Sequence, residues 1–192
     1  MVVKVILGST RPNRFGKQVA DWIMKLTQES KQDVRFELVD LKEINLPFLD
    51  EPRPPIEGNY QQPHAKEWAK IIDEADGFIV VTAEYNFSIP AALKNAMDFL
   101  AAEWRHKPIT FVSYGASAGG ARAVEHLRSS VANVGMFDLR EQVVIPNYWE
   151  QLDEASTFQP SQAQTAQAQK LIERIAFWSK YLQPARKQLT EA

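Results

Sequence analysis

Cysteine is absent from all 192 residues. That excludes disulfides, thiolate metal sites and a cysteine nucleophile, and leaves any redox chemistry to an external cofactor. No apolar run approaches the roughly 20 residues needed to span a bilayer. The apolar start, Met1 to Gly8, carries neither a basic leader nor a small-residue cleavage site, so it reads as a strand and the chain is expected to be cytoplasmic. An excess of one charge is also missing. Lys and Arg number 22 against 24 Asp and Glu, a formal net charge of -2, which gives no general attraction to nucleic acid or to anionic membranes. The three histidines, His64, His106 and His126, fall at spacings that suggest no metal site. Two phosphate-binding signatures are missing as well. Gly8 to Gly16-Lys17 is too long for G-x-x-x-x-G-K-[ST], and Gln18 replaces the hydroxyl that would hold magnesium. The G-x-G-x-x-G dinucleotide fingerprint is not found, so Asp40 reads as a strand-end turn residue and not as a ribose acid.

What remains is an ordinary globular composition, 45% hydrophobic and 24% charged, long enough for one domain over residues 1–192 to bury a core without staples. Apolar runs alternate with helical periodicity. Strands are expected at 2–7, 34–39, 77–82, 109–113 and 143–145. Helices are expected to about residue 30, over 64–75, 89–102 and about 121–134, and from about residue 161. Ser88 is expected to cap the third helix, with Pro90 in its first turn. Gly135 is expected to close the fourth. Along the last helix Leu171, Ile175, Trp178 and Leu182 form one stripe. The prolines of residues 41–63 mark an extended loop. The last few residues are expected to fray. Five strands alternating with five helices predict a three-layer α/β sandwich with a parallel sheet. In the flavodoxin-like order 2-1-3-4-5, the carboxyl ends of strands 1, 3 and 4 surround one crevice.

The three unusual loops follow those three strands. The first, Ser9-Thr10-Arg11-Pro12-Asn13-Arg14-Phe15-Gly16, offers hydroxyls, an amide and two guanidinium groups before a helix N-terminus, where free N–H groups attract an anion. A solvated, capped turn is the plainer reading of the same residues. The second, Ala83-Glu84-Tyr85-Asn86-Phe87-Ser88, is too aromatic for a connector and suits a flat conjugated ligand. The third, Ser113-Tyr114-Gly115-Ala116-Ser117-Ala118-Gly119-Gly120, is small enough for backbone to approach a ligand.

These residues resemble a known family. The first loop is similar to the G-S-x-R loop of the NADPH-dependent FMN reductases. Glu84-Tyr85-Asn86-Phe87-Ser88-Ile89-Pro90 with Leu93-Lys94-Asn95-Ala96 and Asp98 resembles that family's P-E-Y-N-x-x-x-P-x-x-L-K-N-x-x-D signature, with Ala83 where the family has Pro. Gly119-Gly120-Ala121-Arg122 is similar to its third block. The resemblance implies a flavodoxin-like fold that carries FMN non-covalently. Ser9, Thr10, Arg11, Asn13, Arg14, Phe15 and Gly16 would hold the phosphate end. Glu84, Tyr85, Asn86 and Phe87 would line the isoalloxazine ring, and Tyr114, Gly115 and Ser117 would close the other side. It implies transfer of a hydride from NADPH (or NADH) through bound FMN to a small acceptor: free flavin, quinone, azo compound or metal oxyanion. Glu84 and Asn86 would orient the ring, and no catalytic acid or base is required. A homodimer or homotetramer is implied. Two alternatives stand beside it: a flavodoxin-type FMN electron carrier, which a net charge of -2 suits poorly, and a flavin-independent phosphate-ester or nucleotide-binding domain, which leaves the second loop unexplained.

Outside the loops, Asp98 is expected to meet a neighbouring helix or subunit. Trp104 and Arg105 suit an interface or a core edge. Tyr148 and Trp149 are expected under the last helix, with a partner's flavin as the other possibility.

Overall fold

The computed structural model describes residues 1–191. Its sheet is built from β1 (Val2–Leu7), β2 (Arg35–Asp40), β3 (Gly77–Ala83), β4 (Pro108–Tyr114) and β5 (Phe137–Ile145). All pairings are parallel, in the order β2-β1-β3-β4-β5. β3 and β4 are buried along their whole length. This is why they read as unbroken apolar runs and not as alternating patterns. The helices are α1 (Phe15–Glu29), the single turn α2 (Leu41–Ile44), α3 (Pro63–Asp73), α4 (Ala91–Asp98), α5 (Ala121–Asn133) and α6 (Gln162–Glu191). One face of the sheet packs Trp68, Ile72, Leu93, Met97, Val124 and Leu127 from α3, α4 and α5. The other packs Val19, Ile23, Leu171 and Ile175 from α1 and α6. The expected three-layer sandwich is therefore present. The chain steps from β1 to β2 on one side and then crosses back to β3 on the other side of β1, which opens a crevice at the carboxyl ends of β1 and β3.

Several details differ from the expectations. α4 starts at Ala91, with Pro90 at its N-cap. Ser88 does not cap it, because Ser88 is bridged to Tyr85 in a tight turn. β5 runs from Phe137, earlier than Val143, because Asp138, Arg140 and Glu141 on this edge strand mask the apolar pattern; an irregularity also breaks its pairing with β4. Residues 41–62 are loop apart from α2 and a 3-10 turn at Pro55–Glu57, and Pro63 already opens α3. Trp178 leaves the expected stripe of α6 and is exposed, while Leu171, Ile172 and Ile175 are buried. Asp98 meets Lys94 of its own helix at 2.7 Å. Trp104 is a core residue, edge-on to Trp68 and Phe78. Gly135 behaves as expected: at φ +73 it ends α5 with bonds from Gly135 N–H to Ala132 O and from Met136 N–H to Val131 O, the Schellman pattern. The expected fraying falls partly on Ala192, which lies outside the described residues.

Lys107 makes the lower end of the sheet sensitive to pH. Its ammonium donates to the carbonyls of Ile72 at 2.8 Å and Asp73 at 3.0 Å. Burial pushes its pKa down to about 8, against the pull of Asp73, Asp76 and Glu103. The unfolded chain keeps this proton up to the ordinary value of 10.5. Between those values the unfolded state binds more protons than the folded one, so stability rises with pH. Measured by urea unfolding, the stability of wild type relative to Lys107→Met is expected to climb across that interval and to be flat below it.

Candidate functional site

The three loops meet as expected, around a cavity of about 330 Å³. From the first loop, Arg11, Asn13, Arg14 and Phe15 line it. Asn13 takes a left-handed backbone, φ +52. α1 then starts with no side-chain cap and no acidic residue in its first turn. Lys17 N–H bonds to Arg14 O at 3.3 Å and Gly16 N–H turns to the Tyr114 oxygen, so it is chiefly the helix dipole that is left to favour an anion. The two arginines have different surroundings. Arg14 is paired with Asp40, and their side chains are only 9% and 4% exposed. Asp40 also accepts from Lys42 N–H at 3.0 Å, capping α2. Arg14 Nε is buried and makes no hydrogen bond. Arg11 is exposed, with its guanidinium 5.9 Å from the ring centre of Tyr85.

Ser9 and Gly16 sit behind the cavity wall. Ser9 is fully buried, and its hydroxyl accepts from the Tyr114 hydroxyl at 3.1 Å. A Cβ on Gly16 would lie 2.5 Å from that Tyr114 oxygen and 2.8 Å from Ser9 Oγ. Gly16 thus lets the first turn of α1 rest against the end of β4. Burial pushes the Tyr114 phenol up to about 12, with the Ser9 contact pulling the other way. Thr10 faces a neighbouring groove with Leu46 and Asn95.

The second loop is a two-residue turn. Tyr85 N–H donates to Ser88 O at 2.8 Å and Ser88 N–H to Tyr85 O at 3.0 Å. Asn86 and Phe87 at its apex both have positive φ, the type I′ form. Glu84 and Tyr85 line the cavity, while Asn86 and Phe87 stand exposed on its rim. Glu84 was expected to orient a ligand ring, but its carboxylate is committed elsewhere. It accepts from Arg122 Nε at 2.7 Å and from the N–H groups of Arg122 at 3.2 Å and Ala123 at 3.4 Å. It therefore caps α5 from a different strand, where Gly120 has no side chain to do so.

The third loop is held by a bond from Ser113 Oγ to Gly119 O at 2.9 Å. Tyr114, Gly115 and Ala116 line the cavity, and Ser117 is exposed outside it. The remaining wall comes from residues that no sequence motif marked: Tyr148, Leu152 and Ser156. Tyr148 stacks on Phe15 with ring centres 4.5 Å apart, and Phe158 meets Phe15 edge-on at 5.1 Å. Gln18 ties this segment to α1, donating to Ser156 O at 3.0 Å and accepting from Phe158 N–H at 2.7 Å. Tyr148 thus belongs to its own chain's cavity and not to the underside of α6, and Trp149 is exposed. Among the described residues, no group of three His, Cys, Asp or Glu is placed to hold a metal ion. None of the described helices is long and apolar enough to cross a membrane.

The model of the NADPH-dependent FMN reductase family matches residues 1–150. The chain belongs to this family. Relatives within reach of it include an NAD(P)H-dependent FMN reductase of Schizosaccharomyces pombe, 42% identical over 120 residues, which cover 62% of this chain and 60% of the relative. An NAD(P)H-dependent FMN reductase of Saccharomyces cerevisiae is 32% identical over 146 residues, 71% of this chain and 76% of the relative. The chain thus spans less than two thirds of the fission-yeast relative's length. A flavoenzyme NAD(P)H:(acceptor) oxidoreductase from Paracoccus denitrificans has the same fold, with a TM-score of 0.71 at 21% identity over 94% of this chain and 97% of the other. The family match ends at residue 150, so Leu152 and Ser156 complete the cavity from outside the matched region, with Phe158 packed behind Phe15.

Proposed function

We propose that this chain is an FMN-dependent NAD(P)H oxidoreductase that passes reducing equivalents to a small acceptor of the quinone or azo class. The observation that carries the reading is the cavity at the strand ends, with an uncapped helix N-terminus and two arginines on one side and an aromatic turn on the other. The residues present fit the cofactor. The uncapped N-terminus of α1, with its dipole, and the buried, unbonded Nε of Arg14 are suited to phosphate oxygens. Arg11 supplies a guanidinium with no carboxylate partner among the described residues. Phe15, Tyr85 and Tyr148 offer aromatic surface for a flat ring. Bound FMN supplies the capacity to accept a hydride and to hand on its electrons. The protein's part is to bind the phosphate, fix the ring and shield one side of it. None of its groups needs to move a proton. The names of the relatives support the acceptor class: an NAD(P)H:quinone oxidoreductase of Solanum tuberosum is 33% identical over 141 residues, and an NADPH azoreductase of Bacillus is 28% identical over 147.

Arg11→Ala is expected to weaken FMN binding by about 1.5–3 kcal/mol, the worth of a charged hydrogen bond. Quenching of free-flavin fluorescence measures this, and unchanged affinity would refute the assignment. NADPH consumption with a quinone acceptor tests the activity. A yellow protein inert to NADPH and NADH would instead be an electron carrier. The reading extends to a homodimer or homotetramer, which exposed Phe48, Leu49 and Ile56 support and sedimentation equilibrium tests.

A further inference from the structure

Phe87 holds a left-handed backbone, φ +68, which a bulky side chain seldom adopts. Turns of this form favour Asn followed by Gly. Here Asn86 takes the first position, and a phenylalanine occupies the second. Such a conformation persists only where its surroundings over-determine it, and it recurs at ligand clamps. Arg122 packs on the Phe87 ring. Its guanidinium carbon lies 3.8 Å from the ring centre of Phe87. Its Nε and Nη2 both bind Glu84 Oε1. The Glu84 side chain is itself buried, 6% exposed, and enters the turn directly from β3. Arg122 is therefore fixed at its edge by the acid that begins the turn and covered on its face by the ring at the turn's apex. Tyr85, which lines the cavity, lies between the two.

We propose that Arg122 is a positioning residue for the flavin: through Glu84 and Phe87 it holds the 85–88 turn in its strained form, and that form sets where Tyr85 and the turn's backbone meet the ring. The proposal rests on the reading of this cavity as an FMN site. It differs from a purely structural role, in which Arg122 would only help Glu84 cap α5. The two roles separate at residue 87. Glycine takes a left-handed backbone without strain, so a turn with Gly at 87 no longer needs the clamp.

The test compares wild type, Arg122→Met, Phe87→Gly and the double variant. Each is read by FMN dissociation constant, midpoint potential of the bound flavin and thermal unfolding of the flavin-free protein. Arg122→Met is expected to raise the dissociation constant about tenfold, the scale of one strained residue, and to shift the potential. Arg122→Lys should recover only part of this, because an ammonium lacks the planar fork. In the Phe87→Gly background, adding Arg122→Met should change the constant by less than about twofold. A tenfold loss that survives in that background would mean Arg122 acts through α5 alone, and would overturn the proposal. So would an Arg122→Met variant with wild-type affinity and potential. Wild type that takes up no FMN would overturn the reading of the cavity and this proposal together.

Discussion

Asp40→Ala is expected to lower the free energy of unfolding by about 3–5 kcal/mol, the cost of leaving one partner of a buried ion pair behind. Arg14 and Asp40 are both more than nine-tenths buried, so the remaining guanidinium cannot recover its hydration without moving. The same substitution removes the cap on Lys42 N–H, worth about 1 kcal/mol more. Urea denaturation followed by tryptophan fluorescence measures the loss. A value under about 1 kcal/mol would show that the pair is not closed to water. Adding Arg14→Met to the variant should restore much of the stability, since replacing both members of a buried pair with apolar groups is often close to neutral. FMN affinity should fall in Asp40→Ala as well. Arg14 is the N-cap of α1, so a displaced Arg14 moves the helix terminus that faces the cavity.

Gly120→Ala is expected to cost about 3 kcal/mol or more, the sum of a left-handed penalty and overpacking. Gly120 has φ +86, and a Cβ there would lie 2.7 Å from Ser113 Cβ, 2.9 Å from Tyr114 N and 3.0 Å from Tyr114 O. Two of those three atoms are backbone, which cannot swing aside as a side-chain end can. The displaced strand end carries Tyr114 and Gly115 into the cavity wall, so flavin affinity should drop with stability. Gly58→Ala provides the control. Gly58 has φ +63 with nothing within 4 Å of the added carbon, so only the backbone term remains, about 1–2 kcal/mol. Equal losses for the two variants, by thermal unfolding, would disprove the packing argument.

Most of the fold was legible because its signals are local. Apolar runs at β1, β3 and β4, a helical period in α1, α3 and α5, and Gly135 in the closing position each follow from short-range rules. The edge strand β5 was half hidden because an edge tolerates Asp138, Arg140 and Glu141 where a central strand would not. The three loops were visible as a set because the strand order brings their ends together. Their inner division of labour was not. Nothing in the sequence says that Asp40 takes Arg14, that Ser9 turns back to Tyr114, or that Glu84 reaches α5. Those pairings join residues 26, 105 and 38 positions apart. Tyr148 was expected under α6 and Gln18 was given no part in the site, for the same reason. A lone tyrosine in a segment without a motif carries no sign of the ring it will stack on. Gln18 stood out only for replacing a magnesium-binding hydroxyl.

The cavity wall draws on both halves of the chain, and this orders its assembly during synthesis. Phe15 and Gln18 leave the ribosome more than a hundred residues ahead of Tyr148 and Phe158, and chains emerge N-terminus first. Until the later segment is made, Phe15 has no stacking partner and Gln18 has neither Ser156 nor Phe158 to bind. A nascent chain halted at residue 145 would own all five strands and all three loops, yet its ligand cavity would stand open on one side. Tyr148, Leu152 and Ser156, one wall of the cavity, are thus the last of its residues to be made.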